Sequence, residues 1–461
     1  MLMAMIISIA TEGDNAYFAF FLSFFISVTV GIFPLIFTPN DSYINIREVY
    51  GVVVVSWASV CLFGILPYLL WGGQFSFINA WFESVSGYTT TGATILESPE
   101  RLPRSILFFR SCTHWMGGVG VILFALLIAP AMRMNKTRLS QVEMSPLAKE
   151  NFIYKTQETI LVILTVYIGA TTLCFLMLRI AGMDWFDSIN HAFSTIATGG
   201  FSTKNMSIAQ FDSTWIYVII IIFMFISSIH FGLLYAAITG RSFNLFKSPI
   251  IRYYFFAVLA GCLLVSLNLW LSKSFSSFGE SLLHGTFEVV SYTTTTGFAS
   301  MDSALLPPFA LLVIIFFTLQ GGTAGSTSGG IKVDRFVIFL KTLKVQIRRQ
   351  QHPKAVIPVK IGDHIVEEEI SHAVLLFMLL FLLILFLGTI ILTAFGVDMF
   401  SAFSAALASI TNAGAGFGEY SSLSNYNSLL PAGKLLMTLL MITGRLEIYG
   451  LILLFFVKSW K

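Results

Sequence analysis

Four short strings in this chain have the residue types needed to hold a bare cation by backbone oxygens. They are Thr89-Thr90-Thr91-Gly92, Ala197-Thr198-Gly199-Gly200, Thr294-Thr295-Thr296-Gly297 and Thr411-Asn412-Ala413-Gly414. Glycine admits backbone conformations closed to other residues, so neighbouring carbonyls can turn to one side. Threonine before it favours extended geometry and can add a hydroxyl. A ring of such carbonyls can replace the hydration shell of a dehydrated monovalent cation. Gly92, Gly199, Gly297 and Gly414 lie 107, 98 and 117 residues apart, and the strings before Gly92 and Gly297 share Phe, Glu, Val, Ser and three Thr in register. The pattern reads as a fourfold internal repeat.

Each string follows a short apolar-periodic stretch, 77–87, 184–194, 282–292 and 399–409. Stretches of that length are too short to cross a bilayer but suit re-entrant half-helices. Irregular backbone at membrane depth is tolerated only where protein buries it or it lines an aqueous cavity. Half-helices ending at a central cavity present their partially negative ends to it, which favours a cation.

Long apolar runs flank these connectors. Eight are free of charge, 16–37, 49–71, 111–132, 159–178, 213–240, 253–272, 303–331 and 373–397; a ninth, 435–457, holds only Arg445 and Glu447. The fold expected is therefore an all-α polytopic membrane protein. It has four tandem units of helix, re-entrant pore helix and helix around one pore, preceded by one to two extra helices. The corresponding divisions are 1–48, 49–132, 133–240, 241–350 and 351–461. Residues 1–10 are apolar but too short to span alone, and they lack the basic start and cleavage site of a secretory signal.

Composition supports the membrane reading. Charged residues are 11% of the 461, against about 25% in soluble domains, and 45 residues are Phe. Soluble enzymes, nucleic-acid binders and disordered tails are excluded. The net charge of +3 gives no anionic polymer partner. Cys61, Cys112, Cys174 and Cys262 form no CxxC pair, so neither a zinc site nor a disulfide framework is expected. The connectors within the four helix pairs carry seven Lys/Arg and those between pairs sixteen, which places the between-pair loops and the C-terminus in the cytoplasm.

These four strings, with His114-Trp115-Met116-Gly117-Gly118-Val119-Gly120, the glycine-rich stretch 321–330 and Gly444-Arg445-Leu446-Glu447, resemble the Trk/Ktr/HKT potassium transporters. The extra helix at 16–37 makes the chain more similar to the TrkH branch. The resemblance implies potassium uptake across the bacterial inner membrane, with K+ as the transported ion and no organic cofactor. It implies potassium held by carbonyls of Thr90, Thr91, Ala197, Thr198, Thr295, Thr296, Asn412 and Ala413, beside Gly92, Gly199, Gly297 and Gly414. It also implies a homodimer on a cytoplasmic nucleotide-binding regulatory ring of the TrkA type. In related plant proteins serine at the first glycine accompanies sodium transport, so Gly92 argues against a sodium-permeable relative.

Other conspicuous residues follow from physical chemistry. Arg445 sits within an apolar run, where a charge costs at least about 2.5–3.5 kcal/mol, and reads as a positive barrier below the cation site, the alternative being a pair with Glu447 or with loop carbonyls. Gly321, Gly322, Gly325, Gly329 and Gly330 read as an unwound gate loop, the alternative being a tight helix crossing. The string Gly325 to Lys332 imitates a phosphate loop, but Ile331 separates glycine from lysine and no strand precedes it. Glu83 and Glu288 are expected to bond nearby backbone, since a buried carboxylate needs partners. Glu419 is expected at the outer mouth. His230 and His284 read as packing residues, and the basic stretch 341–360 as a solvated inner face or a docking surface. An inverted-repeat transporter would reverse its charge bias between halves, and neither HExxH nor GxSxG occurs to make an intramembrane enzyme.

Overall fold

The computed structural model describes residues 1–37, 46–133, 156–240 and 247–448. The chain opens with α1 (Leu2–Ala10) and α2 (Tyr17–Phe37), which pack together. Asp14 closes the turn between them, accepting from Ser8 Oγ at 2.6 Å and from the Ser105 N–H at 2.9 Å. The short apolar start of the chain forms a helix docked on the bundle.

Next come α3 (Ile46–Gly64), α4 (Leu66–Trp71), the short α5 (Phe77–Tyr88) and the long α6 (Arg104–Arg133). Pro67 explains the joint between α3 and α4, since its ring blocks the carbonyl one turn back. The second unit holds α7 (Thr156–Ile180), the short α8 (Trp185–Ile196), α9 (Thr214–Ser227) and α10 (Phe231–Ile238). The third holds α11 (Pro249–Leu271), the short α12 (Phe278–Thr293), α13 (Pro308–Gln320) and α14 (Val333–Gln351). A small antiparallel hairpin follows, β1 (Val359–Ile361) with β2 (His364–Val366). The last unit is α15 (Glu368–Ala394), the short α16 (Met399–Ile410) and α17 (Pro431–Arg445).

Among the described residues, five helices are long and apolar enough to span a membrane, or up to six if α9 and α10 count as one. Side chains such as Phe25, Leu379 and Phe386 are exposed on the outside of the bundle, where lipid is their solvent. This is a multi-pass membrane protein.

Two apolar runs expected as continuous helices are broken. The 213–240 run bends by 105° between Ser227 and Phe231. The 435–457 run stops at Arg445, and Glu447 and Ile448 turn left-handed, with φ of 54° and 59°; residues 449–457 lie outside the described residues. Breaks at membrane depth require partners for the freed backbone groups. The Ser228 carbonyl finds them in the glycine-rich loop, accepting from the Thr323 N–H at 2.9 Å and from Thr323 Oγ1 at 3.1 Å.

Candidate functional site

The four short helices α5, α8, α12 and α16 all begin with a side-chain cap. Ser76, Asp184, Ser277 and Asp398 accept from N–H groups of the first turn, which satisfies donors that would otherwise be orphaned. All four end in one geometry. Thr90, Thr198, Thr295 and Asn412 adopt φ of 51°, 52°, 55° and 55°. The following residue, Thr91, Gly199, Thr296 or Ala413, donates its N–H five residues back, to Ser86, Ser194, Ser291 or Ala408. This is a Schellman ending built without glycine at the left-handed position. Left-handed backbone costs a non-glycine residue about 1–2 kcal/mol, least for Asn, so the surrounding packing must hold each turn in place.

That packing is a closed circle. Gly92, Gly200, Gly297 and Gly414 have φ of 85°, 83°, 76° and 69°. A Cβ added to Gly92 would lie 2.1 Å from the Gly199 carbonyl oxygen, and one on Gly200 would lie 2.1 Å from that of Thr296. A Cβ on Gly297 would meet the Ala413 oxygen at 2.0 Å, and one on Gly414 the Thr91 oxygen at 2.0 Å. Strand one thus abuts strand two, two abuts three, three abuts four, and four returns to one. The carbonyls of Thr91, Gly199, Thr296 and Ala413 sit in one ring, each against a neighbour's glycine. A cavity of about 60 Å³ opens above it, lined by the same four glycines together with Arg110, Lys204 and Tyr426.

The register of the second strand differs by one residue from the sequence reading. Gly200, not Gly199, matches Gly92, Gly297 and Gly414, and Ala197 matches the helix-capping Thr89, Thr294 and Thr411. The Ala197 carbonyl accepts from Thr198 Oγ1 at 2.7 Å. Gly199 is glycine for another reason: a Cβ there would lie 2.2 Å from His114 Nδ1. The His114 ring stacks on Phe201 at 4.0 Å and pairs with Ser194 Oγ at 2.9 Å. Two glycines in a row serve two needs, and sequence spacing alone cannot separate them.

Beneath the ring lies the loop from Gly321 to Lys332. The Gly329 N–H donates to Thr295 Oγ1 at 2.6 Å, and a Cβ on Gly329 would lie 2.0 Å from the Thr411 carbonyl oxygen. Thr327 Oγ1 donates to the Ile196 carbonyl at 3.1 Å. The loop therefore touches the ends of α8, α12 and α16 together. Gly321, Gly325 and Gly330 turn it with φ of 69°, 75° and 76°, and Gly322 packs on Ser228 and Ser328. Arg445 joins it, with Nη1 donating to the Thr327 carbonyl at 2.8 Å. Glu447 does not pair with Arg445; it forms an ion pair with Arg335 of α14. Lys332 is buried and donates to the Ser328 carbonyl.

The described residues contain no cluster of His, Cys, Asp and Glu able to hold a metal ion. The family described as "TrkH: Cation transport protein" matches residues 16–461. This chain belongs to the TrkH family. It is similar to the Trk system potassium uptake protein TrkH of Escherichia coli (strain K12), at 35% identity over 97% of this chain and 93% of that protein. The Trk system potassium uptake protein TrkG of the same organism is 32% identical over 97% and 93%. The crystal structure of the potassium transporter TrkH from Vibrio parahaemolyticus superposes with a TM-score of 0.90 at 31% identity, covering 100% of this chain and 96% of that one. TrkH-family proteins are transporters, not enzymes.

Around the ring of this TrkH-family chain, side chains and backbone groups join adjacent strands. Tyr426 connects strands one and four, its N–H donating to the Thr94 carbonyl at 2.9 Å and its hydroxyl to the Gly414 carbonyl at 3.1 Å. Tyr292 donates to the Gly416 carbonyl at 3.2 Å, joining three and four. The Ala209 N–H donates to the Ala299 carbonyl at 3.1 Å, joining two and three. Arg110 lies over the Phe201 ring at 4.0 Å while bonding Glu83, joining one and two. Sequence reading gave no role to Arg110 or Tyr426 and took Gly199 rather than Gly200 as the repeating glycine; it expected Glu83 to bond nearby backbone, and the Ile95 N–H and Arg110 share that carboxylate. Glu419 accepts from Ser428 Oγ at 3.3 Å, and His230 Nδ1 caps α10 by accepting from the Gly232 N–H at 3.0 Å.

Proposed function

We propose that this chain takes up potassium across the bacterial cytoplasmic membrane through one pore per subunit. The observation that carries the reading is the closed circle of the Thr91, Gly199, Thr296 and Ala413 carbonyls. Such a ring, at the negative ends of four half-helices, can replace water around a dehydrated cation. The names of the relatives, potassium uptake proteins of the Trk system, make potassium the ion of choice. In this reading each of the four units contributes one filter strand. Gly321 to Gly330 form the gate, and the Arg445 guanidinium places a positive charge on the path below the filter.

The partner in this reading is a nucleotide-binding ring of the TrkA type beneath a homodimer, with the C-terminus on the cytoplasmic side. The basic helix α14 continues directly from the loop at Lys332, so a push on α14 reaches the gate. The test is rubidium uptake into vesicles holding the purified chain, with sodium as competitor and with or without a regulatory ring. Uptake resisted by potassium but not by sodium supports the reading. Equal competition by sodium overturns it.

A further inference from the structure

Each carbonyl strand is tied to its own half-helix by a side chain one helical surface behind the ring, and the four ties differ in chemistry. In the first unit Glu83 accepts from the Ile95 N–H at 3.2 Å and Thr94 Oγ1 at 2.9 Å, and its charge is met by Arg110 at 2.7 Å. In the second, His191 Nδ1 lies 2.8 Å from the Asp187 carbonyl and Nε2 lies 2.9 Å from Ser202 Oγ. A carbonyl only accepts, so Nδ1 carries the proton and Nε2 receives the Ser202 hydroxyl. In the fourth, Ser404 Oγ accepts from the Phe417 N–H.

The third unit repeats the glutamate of the first without its cation. Glu288 Oε1 accepts three bonds, from the Ser300 N–H at 2.9 Å, Ser300 Oγ at 3.0 Å and the Met301 N–H at 3.3 Å. Among the described residues Glu288 makes no ion pair, and its fully buried Oε2 has no hydrogen-bond partner. Ser300 Oγ is itself approached by His284 Nδ1 at 3.0 Å. A buried carboxylate without a countercharge is so unfavourable that such groups hold a proton instead. Glu83 and Glu288 occupy matching places, seven residues before Thr90 and Thr295, yet face opposite electrostatic settings.

We propose that Glu83, His191, Glu288 and Ser404 are positioning residues that set the spacing of the carbonyl ring and hence its preference for potassium. Glu288 does so as a neutral acceptor, Glu83 as an ion. This rests on the potassium reading above. The strands carry left-handed turns at Thr90, Thr198, Thr295 and Asn412, so a strand released from its tie has a lower-energy backbone to relax into.

The experiment compares rubidium uptake against competing sodium in vesicles holding the full chain, its variants Glu288→Gln, Glu288→Leu, Ser300→Ala and Glu83→Gln, and the double variant Glu83→Gln/Arg110→Gln. Glutamine keeps the acceptor at Oε1 and puts its amide where Oε2 has no partner, so Glu288→Gln is expected to match the parent. Glu288→Leu leaves two buried N–H donors unpaired and is expected to lose about tenfold in preference. Glu83→Gln strands Arg110 and is expected to lose as much, with partial recovery in the double variant. Ser300→Ala removes one of three bonds and is expected to lose about threefold, which keeps the test decisive should Glu288→Leu fail to fold. A parent without preference defeats the potassium reading itself. A selective parent whose Glu288→Leu or Ser300→Ala variant is folded and equally selective overturns the positioning role. Equal losses in Glu288→Gln and Glu288→Leu overturn the neutral acceptor.

Discussion

The guanidinium of Arg445 reaches from the last turn of α17 to the carbonyl of Thr327, 2.8 Å away, so the end of one helix holds the loop that interrupts another. A second, longer contact runs to the Gly117 carbonyl at 3.4 Å, on α6. One buried cation therefore bridges the first, third and fourth units directly beneath the carbonyl ring. Its partners are backbone oxygens rather than carboxylates, so its charge is oriented but not cancelled.

Arg445→Ala should therefore increase flux. Two unit charges about 5 Å apart repel by roughly 3 kcal/mol at an effective dielectric of 20, and removing a barrier of part of that size raises passage about tenfold. Rubidium efflux from loaded vesicles measures it. A variant that no longer assembles or melts far below the parent would show that the bridge serves stability instead.

Gly199 and Gly200 separate two causes in one experiment. Gly200→Ala places a Cβ at a φ of 83° and 2.1 Å from the Thr296 carbonyl oxygen, and backbone cannot yield. Gly199→Ala clashes with the His114 ring at 2.2 Å, which a smaller side chain would relieve. Both single variants should lose cation preference by about tenfold or more. Adding His114→Ala should restore Gly199→Ala and leave Gly200→Ala impaired, as read by sodium competition against rubidium.

Gly92→Ser should follow Gly200→Ala rather than Gly199→Ala. Its Cβ would meet the Gly199 carbonyl oxygen at 2.1 Å and sit at a φ of 85°. We expect a lowered potassium-over-sodium preference with little change in expression. Unchanged competition would remove Gly92 from the filter.

Thr295→Val keeps the shape at the left-handed position but takes away the acceptor of the Gly329 N–H at 2.6 Å. Leaving that buried donor unpaired costs about 1–3 kcal/mol and weakens the seating of the loop against α12. Flux without a regulator should rise while cation preference stays near that of the parent. A fall in preference with no rise in flux would mean that the hydroxyl serves the ring and not the loop.

Glu447→Gln removes the charge paired with Arg335, a buried side chain at the head of α14. Glu447 is partly exposed, so we expect about 1–3 kcal/mol of lost stability rather than the larger penalty of a fully buried pair. Thermal melting in detergent reads this directly. Restoration by Arg335→Gln would identify the stranded cation as the cause.

Part of this protein was legible in the residues alone. Apolar runs of bilayer length, a charge content of 11% and short periodic stretches before each Thr/Gly string dictate helices, and they place α5, α8, α12 and α16 to within a few residues. Local rules suffice there, because hydrophobic periodicity and capping act over a few turns. The breaks at Ser228 and Leu446 were not legible: neither stretch contains proline, and the polar residues there, Ser227, Ser228, His230, Arg445 and Glu447, do not by themselves end a helix. The break at Ser228 is tolerated because Thr323 of the loop, 95 residues away in sequence, meets its carbonyl.

The register of the second strand shows the same division. The sequence determined that glycines and threonines recur four times and that one carboxylate each in the first and third units lies behind them. Only the tertiary structure decided that Gly200 completes the circle, that Gly199 makes room for His114, and that Glu83 meets Arg110 while Glu288 meets no cation. Conformation along the chain follows from nearest neighbours. Which carbonyl faces which glycine, and which charge is paired, depends on close contacts between units roughly a hundred residues apart, where a single Cβ at 2 Å decides what fits.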